Sequence, residues 1–333
     1  MNKKINVLSL FDGMSCGQIA LQRAGIGVDN YFASEVDKHA IKITQKNFPN
    51  TTHLGDVKDL ESTKLPKIDL LIGGSPCQSF SFAGKREGMT TESNEEILDL
   101  DRYLELKSER FTFKGQSYLF WEYVRVLKET KPTHFLLENV VMNKNWEAVI
   151  TKALGVEPIL INSALVSAQN RKRLYWTNIP NIGQPEDRGI LLADILEDSD
   201  YSEPASIRGQ YINKACIIGR RLNAEGVRKD YDKSIPITQC LEVRASNTTK
   251  SNCLTTVQKD NVLTYLPVGR HVDVYGKNLP YRNYTLNELC RLQTVPENYF
   301  QDVSESQSRK MLGNGWTVDV IAYIFENIKE NHE

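Results

Sequence analysis

Two short apolar runs each end on a side chain capable of covalent or acid–base chemistry. Asp69-Leu70-Leu71-Ile72-Gly73-Gly74-Ser75-Pro76-Cys77-Gln78 delivers a thiol just past a buried-strand pattern. His134-Phe135-Leu136-Leu137 delivers Glu138-Asn139-Val140 in the same way. A thiol at one strand end and a carboxyl at another are what a nucleophile and its acid partner require. Open α/β sheets gather such groups beyond the carboxyl ends of their strands. Alone, a cysteine is more often an inert buried thiol and a strand-end glutamate a salt-bridge partner. The pair, each after its own strand, is considerably stronger.

A third strand pattern opens the chain and runs into Leu10-Phe11-Asp12-Gly13-Met14-Ser15-Cys16-Gly17. Glycines in a strand–helix turn let a ligand approach the backbone and the N–H groups of the following helix. The turn lacks the G-x-G-x-x-G spacing, so a dinucleotide pyrophosphate site, and with it a dehydrogenase, is disfavoured. Phe11 beside small residues suits a flat base. Glu35 follows the next strand pattern, where a carboxylate can accept from ribose hydroxyls. Asp56 follows a third apolar piece, where it can accept from an exocyclic amine.

These groups need a scaffold. Residues 5–180 alternate apolar runs with helical periodicity, which predicts an α/β domain with a largely parallel sheet. The predicted strands are 5–10, 30–34, 70–72, 134–137, 158–162 and 173–176, and the predicted helices 17–24, 39–47, 118–128 and 146–154. From about 181 to 280 the rhythm gives way to short β-like pieces and scattered Gly and Pro, the pattern of a smaller second domain. Helical patterning returns at 286–292 and 316–328. The expected division is 1–184, 185–280 and a C-terminal return over 281–333. Residues 91–110 stand apart, with seven acidic against three basic residues and Ile97, Leu100 and Leu104 at helical spacing. They predict an acidic amphipathic helix.

The bulk numbers set limits. The chain has 333 residues, 40% hydrophobic and 25% charged, enough for a substantial core. No apolar run reaches the roughly 18 residues of a membrane helix, and no leader pattern precedes Ile5, so a cytoplasmic protein without membrane association is expected. The six cysteines form no C-x-x-C pair or zinc spacing, so no structural metal is expected. The net charge of −1 hides an asymmetry: residues 204–280 hold 12 Lys and Arg against 6 Asp and Glu. A basic block in an acidic chain points to a polyanionic partner, against the plainer reading of a solvated surface.

Taken in order, the motifs resemble those of the DNA cytosine-5 methyltransferases of bacterial or phage type. They run through Phe11-Asp12-Gly13 with Gly17, Glu35, Asp56, Pro76-Cys77-Gln78 with Phe80-Ser81, Glu138-Asn139-Val140 and Gln169-Asn170-Arg171-Lys172-Arg173. Tyr284-Thr285-Leu286-Asn287-Glu288, Arg291-Leu292-Gln293 and Gly313-Asn314-Gly315 complete the series. The match spans nearly all of the chain except about 185–280. Gly73-Gly74-Ser75-Pro76-Cys77 and Trp316 look more like the animal de novo methyltransferases. Two departures stand out: the stretch from Cys77 to Gly115 is long for the family, and Gly115-Gln116-Ser117-Tyr118-Leu119-Phe120 replaces the usual Arg-Gly before Leu-Phe.

The resemblance implies a Rossmann-like methyltransferase sheet with helices on both faces, plus a small β/loop-rich target-recognition domain. It implies S-adenosylmethionine as cofactor and double-stranded DNA as partner, with a cognate restriction endonuclease as a further candidate. In the family chemistry, a cysteine thiolate adds to C6 of a cytosine flipped out of the duplex, which makes C5 nucleophilic. Cys77 takes that role by resemblance, Glu138 stabilises the charge developing near N3, Arg173 binds O2, Arg171 supports the site and Asn139 positions the cysteine loop. Cofactor contacts are implied for Leu10, Phe11, Gly13, Ser15, Cys16, Gly17, Glu35, Val36, Asp56, Val57, Gly74, Pro76, Leu119, Asn314 and Trp316. DNA contacts are implied for Ser75, Gln78, Ser81, Arg220, Arg221, Arg244 and Thr255, and Arg228 and Lys229 in the basic region are further candidates. A transfer RNA methyltransferase is the nearest alternative, although the Cys-Phe-Thr tripeptide usual in that branch is missing. A catalytically silent DNA-binding homologue is the other, and it should have lost Cys77 or Glu138.

Overall fold

Alternation along β1 (Ile5–Leu10) sorts its side chains between two layers. Leu8 and Leu10 enter a large core cluster with Leu71, Leu137, Trp121, Tyr123 and Trp176, while Val7 and Ser9 face the other side. The computed structural model describes residues 4–76, 88–197, 213–225, 227–243, 250–266, 271–273 and 281–328. Two compact units divide the chain: Met1–Asn162, Lys172–Pro185 and Val318–Glu333 form one, Ser163–Arg171 and Glu186–Thr317 the other.

In the first unit, β1, α1 (Cys16–Arg23), β2 (Val28–Ser34), α2 (Lys38–Asn47), β3 (Thr52–Gly55) and β4 (Leu70–Gly73) build one half of a sheet. The other half comes from α3 (Leu100–Ser108), α4 (Phe120–Thr130), β5 (His134–Val140), α5 (Lys144–Leu154), β6 (Ile159–Asn162) and β7 (Lys172–Thr177). The seven strands run in the order β3-β2-β1-β4-β5-β7-β6. All neighbours are parallel except β7, which opposes both β5 and β6. The nine residues 163–171 joining β6 to β7 are too few for a parallel crossover, so the strand must turn back. Helices cover both faces: α4 and α5 pack on the face of Leu71, α1 on that of Ile72.

All six predicted strands and all four predicted helices of this unit are present, with β7 the departure from a parallel sheet. The acidic segment does contain a helix, but on another face than the spacing suggested. Asp99 caps α3 through the Arg102 N–H at 2.8 Å, and the buried face is Leu100, Tyr103 and Leu106. Leu104 is only half-buried, and Ile97 precedes the helix, its carbonyl accepting from Trp121 Nε1.

The second unit holds the short α6 (Leu192–Ile195), strands β8 (Asn213–Arg220), β9 (Thr238–Val243), β10 (Val262–Thr264), β11 (His271–Asp273) and β12 (Tyr281–Asn283), then α7 (Leu286–Gln293) and α8 (Glu305–Asn314). The strands form an antiparallel sheet, β11-β9-β8-β10-β12, over a small core of Ala215, Leu241, Val243 and Val262. Helix α7 starts on a capping box between Thr285 and Glu288. The last helix, α9 (Val318–Glu326), belongs to the first unit, where Asp319 meets Arg23 at 2.5 Å.

Candidate active site

Strands β4 and β5 are parallel neighbours in register, Gly73 opposite Leu137, so their carboxyl ends emerge side by side. Past β4 the chain is fastened at Ser75: Asn139 Nδ2 donates to Ser75 Oγ at 3.1 Å and to its carbonyl at 3.3 Å. Asn139 is buried, as are Ser75 and Glu138. One strand over, Arg173 Nε stands 3.0 Å from Glu138 Oε1, with Arg173 opposite Val140 in the β5–β7 ladder. Arg173 Nη1 donates to the Lys172 carbonyl at 2.9 Å. Ser75, Glu138, Asn139 and Arg173 are thus brought together at one edge of the sheet. Cys77, Gln78, Ser81 and Arg244 lie outside the described residues.

The turn after β1 is wound tightly. Phe11, Gly13 and Ser15 have φ of 57°, 57° and 62°, three left-handed residues within five positions. Non-glycine residues adopt this conformation at a cost, and such strain concentrates at binding sites. A Cβ on Gly13 would find nothing nearer than the Phe11 carbonyl at 4.0 Å, so the space above that backbone is open. Gly17 has a packing reason of its own. Its Cβ would lie 2.4 Å from Ile72 Cδ1, so glycine is needed there for α1 to reach the sheet.

Glu35 ties the turn to the end of β2. Oε2 accepts from the Gly13 N–H at 2.7 Å, and Oε1 from those of Val36 and Asp37 at 2.8 Å each. The carboxylate is therefore a backbone clamp first, and Oε2 keeps acceptor capacity. Asp56 accepts from the Lys58 N–H at 3.0 Å and its Nζ at 3.1 Å, a third of its side chain remaining exposed. Val36 is 69% exposed beside Glu35, whereas the side chains of Leu10, Cys16 and Val57 are buried. Gly74 and Pro76 flank the anchored Ser75, and Leu119 is partly buried against the core at the start of α4.

Burial raises the Asp12 carboxyl to about 6, against hydrogen bonds from Ser9, Tyr31 and Ser15 that pull it down. Tyr31 donates to Oδ1 at 2.7 Å. Between its ordinary value near 3.8 and 6 the folded chain holds a proton that the unfolded chain releases. This contribution to stability is complete below about pH 4 and lost as pH rises through 6, a difference of roughly 3 kcal/mol. Asp12→Asn should raise the melting temperature at pH 8 by more than at pH 5. An equal change at both, by calorimetry, would refute the assignment.

In the second unit Arg171 is a hub. Nη1 donates to the Leu254 carbonyl at 2.9 Å and contacts Cys253 Sγ at 3.3 Å, and Nη2 reaches the carbonyls of Gly313 and Gly315 at 3.2 and 2.8 Å. Gln169 and Gln293 extend the network to the Leu292, Leu312 and Gly315 carbonyls and to Thr317. A Cβ on Gly313 would meet the Thr255 backbone at 2.5 Å. Arg171 thus holds the turn that presents Asn314, exposed, and Trp316, half-buried. Burying a guanidinium requires acceptors of this number.

A model of C-5 cytosine-specific DNA methylases matches residues 5–330. The chain belongs to that family. Membership makes it a DNA (cytosine-5)-methyltransferase and implies S-adenosylmethionine as methyl donor and DNA as substrate. It is 28% identical to the type II methyltransferase M1.ScrFI of Lactococcus lactis subsp. cremoris, over 98% of this chain and 78% of that one. To M.FnuDI of Fusobacterium nucleatum it is 27% identical over 98% and 94%. The orphan methyltransferase M.SPRI of Bacillus phage SPR is 35% identical over 53% of this chain, which spans only 38% of the phage protein. Among solved structures, the methyltransferase EhMeth of Entamoeba histolytica superposes with a TM-score of 0.62 over 99% of both chains at 15% identity. A DNA modification methyltransferase of an Escherichia coli prophage gives 0.60 over 98% and 99% at 19%. These two likenesses speak to the fold. No helix among the described residues is long and apolar enough to cross a membrane.

In this methylase much of the basic excess is consumed locally. Arg220 pairs with Glu242 at 2.6 Å and Asp230 at 3.5 Å. Asp230 also accepts from the Arg221 N–H at 3.0 Å and pairs with Arg228, and these partners hold its carboxyl below the usual range. Arg221 Nη1 binds the Ile235 carbonyl. Lys250 points its ammonium at the carbonyls of Ala164, Ser167 and Ile190. Thr255 closes its own turn, donating to Asp260 Oδ2 at 2.8 Å. Between β8 and β9 the sequence pointed to Arg221, Arg228 and Lys229 but not to the apolar side chains beside them: Tyr231 is 79% exposed with Lys229 Nζ 5.9 Å from its ring centre, and Val227 and Ile237 are 50% and 58% exposed. Apolar side chains left in water within a basic loop were the available signal.

Proposed function

We propose that this chain methylates C5 of a cytosine flipped out of a specific double-stranded DNA sequence. What carries the reading is the Asn139–Ser75 anchorage, which fastens the approach to Cys77 beside the Glu138–Arg173 pair. Cys77 adds as thiolate to C6, breaking the C5–C6 double bond and placing negative charge on the ring. Glu138 stabilises that charge at N3 by hydrogen bonding or proton transfer, and Arg173 steadies the ring at O2. Once C5 is methylated, its proton leaves to a base and Cys77 is expelled.

The residues fit the methyl donor. The open backbone at Gly13, the clamped Glu35 with its remaining lone pairs, exposed Val36 and partly exposed Asp56 line one end of the sheet. S-adenosylmethionine when bound would supply an electrophilic methyl group; Glu35 would hold its ribose and Asp56 its adenine amine. Asp56→Ala should weaken binding about ten-fold in titration calorimetry, with Cys77 still in place. Unchanged affinity would defeat the adenine assignment.

Residues 185–280 serve as the target-recognition region, its loop between β8 and β9 meeting DNA through Lys229, Tyr231 and Arg228. A cognate restriction endonuclease, fitting the type II names of two relatives, would share the recognised sequence. Mixed-sequence duplex DNA and transfer RNA should be offered separately with S-adenosylmethionine, and 5-methylcytosine mapped at base resolution. Methylation confined to one short DNA motif is the expected result. Preference for transfer RNA, or cofactor binding without product, would overturn it.

A further inference from the structure

Residues 88–116 carry no role in the chemistry above, yet two of their side chains, Tyr103 and Lys107, meet a buried carboxylate. Glu122 on α4 is fully enclosed. It accepts from Tyr103 Oη and Lys107 Nζ at 2.5 Å each, both on α3, and from Arg125 Nε at 2.7 Å. Burial and the neighbouring carboxylate push the Tyr103 hydroxyl well above its usual range, so it stays a donor. The two cations do not stop at Glu122. Arg125 Nη2 donates to the Val57 carbonyl at 3.0 Å and Nη1 to that of Leu60 at 3.3 Å, while Lys107 Nζ donates to the Lys58 carbonyl at 3.1 Å. Three acceptors of the turn after β3, the carbonyls of Val57, Lys58 and Leu60, are thereby fixed, and Asp56 opens that turn. Phe113 and Tyr118 stack at 4.4 Å with Tyr103 at 5.5 and 6.1 Å, and Tyr118 lies within electrostatic reach of Asp56 and Lys58.

We infer that the inserted helix α3 is a positioning device for the methyl donor: Lys107 and Tyr103 set Glu122 and Arg125, which hold the turn that aims Asp56. This rests on the reading of Asp56 as the adenine partner. A charged group with several partners transmits position well, because shifting it breaks several charge-assisted bonds together. Lys107, Glu122 and Arg125 touch no substrate; they act through Asp56.

Lys107 is a third exposed, so Lys107→Met tests the device with the least risk to folding. In the full chain, its dissociation constant for S-adenosylmethionine, by titration calorimetry, should rise about five- to ten-fold. The kcat at saturating donor should change less than about two-fold, and Lys107→Arg should restore most of the affinity. In an Asp56→Ala background Lys107→Met should add almost nothing, since the two act along one path. Lowered thermal stability with unchanged affinity would reduce α3 to a structural brace and overturn the inference. A penalty persisting in full without Asp56 would overturn it equally. Asp56→Ala alone reports on the adenine assignment, so the two failures are distinguishable.

Discussion

Cys77→Ser should lower methyl transfer by about 10⁴-fold or more while S-adenosylmethionine binds within about two-fold of the parent chain. A thiol is partly ionised near neutrality and its sulfur is intrinsically nucleophilic; a serine hydroxyl at the same place is neither. Serine is close in size, so the loop that Asn139 fastens at Ser75 has no steric reason to move. Transfer of a labelled methyl group to duplex DNA gives the rate, and calorimetry the binding. Turnover within ten-fold of the parent would mean that another group attacks C6.

Glu138→Gln carries the second large effect, a fall of about 10²- to 10⁴-fold in kcat with the affinity for the methyl donor little changed. The amide keeps the shape and one acceptor, but it cannot stabilise developing charge at N3 by proton transfer. It also deprives the Arg173 guanidinium, only 14% exposed, of its carboxylate, at a stability cost of about 3 kcal/mol. Arg173→Met breaks the same ion pair and also removes the proposed O2 contact, so its loss of stability, not its rate, is the comparison for Glu138→Gln. A Glu138→Gln enzyme retaining a tenth of its kcat would remove Glu138 from the chemistry.

The strands and helices that bury one face were legible because burial imposes a period, as in β1 and α4. Strand β3 was not, since Thr52–Gly55 is a four-residue edge strand, none of it buried. Helix α8 escaped for a related reason: Glu-Ser-Gln-Ser-Arg-Lys precedes its apolar residues, and its anchoring is at Ser308, Met311, Leu312 and Gly313. In α3 an aromatic ring, Tyr103, supplied the buried face that Leu104 was expected to supply. Residues assigned to a ligand by the proposal stood out by type at strand ends, among them Glu35 and Glu138. Residues that hold other residues did not. Arg171 read as part of a catalytic basic run, yet four acceptors in the second unit take its guanidinium. Glu122 was passed over in Phe120-Trp121-Glu122-Tyr123-Val124, where a lone carboxylate within an apolar run was itself the sign of a buried ion network.

The division of the chain bears on how such a protein can be re-engineered or diversified. The polypeptide passes from one unit to the other at 162/163, 171/172, 185/186 and 317/318, so no single cut separates them. A fragment ending near 184 keeps every strand of the large sheet but lacks α9, whose buried Val318, Val320, Ile321, Ile324 and Phe325 would be withheld from its core. Exchange of target preference between relatives would therefore proceed by grafting a segment inside 186–317 with both splice points in that unit. Tail-to-tail fusion of halves would strand apolar surface in each product.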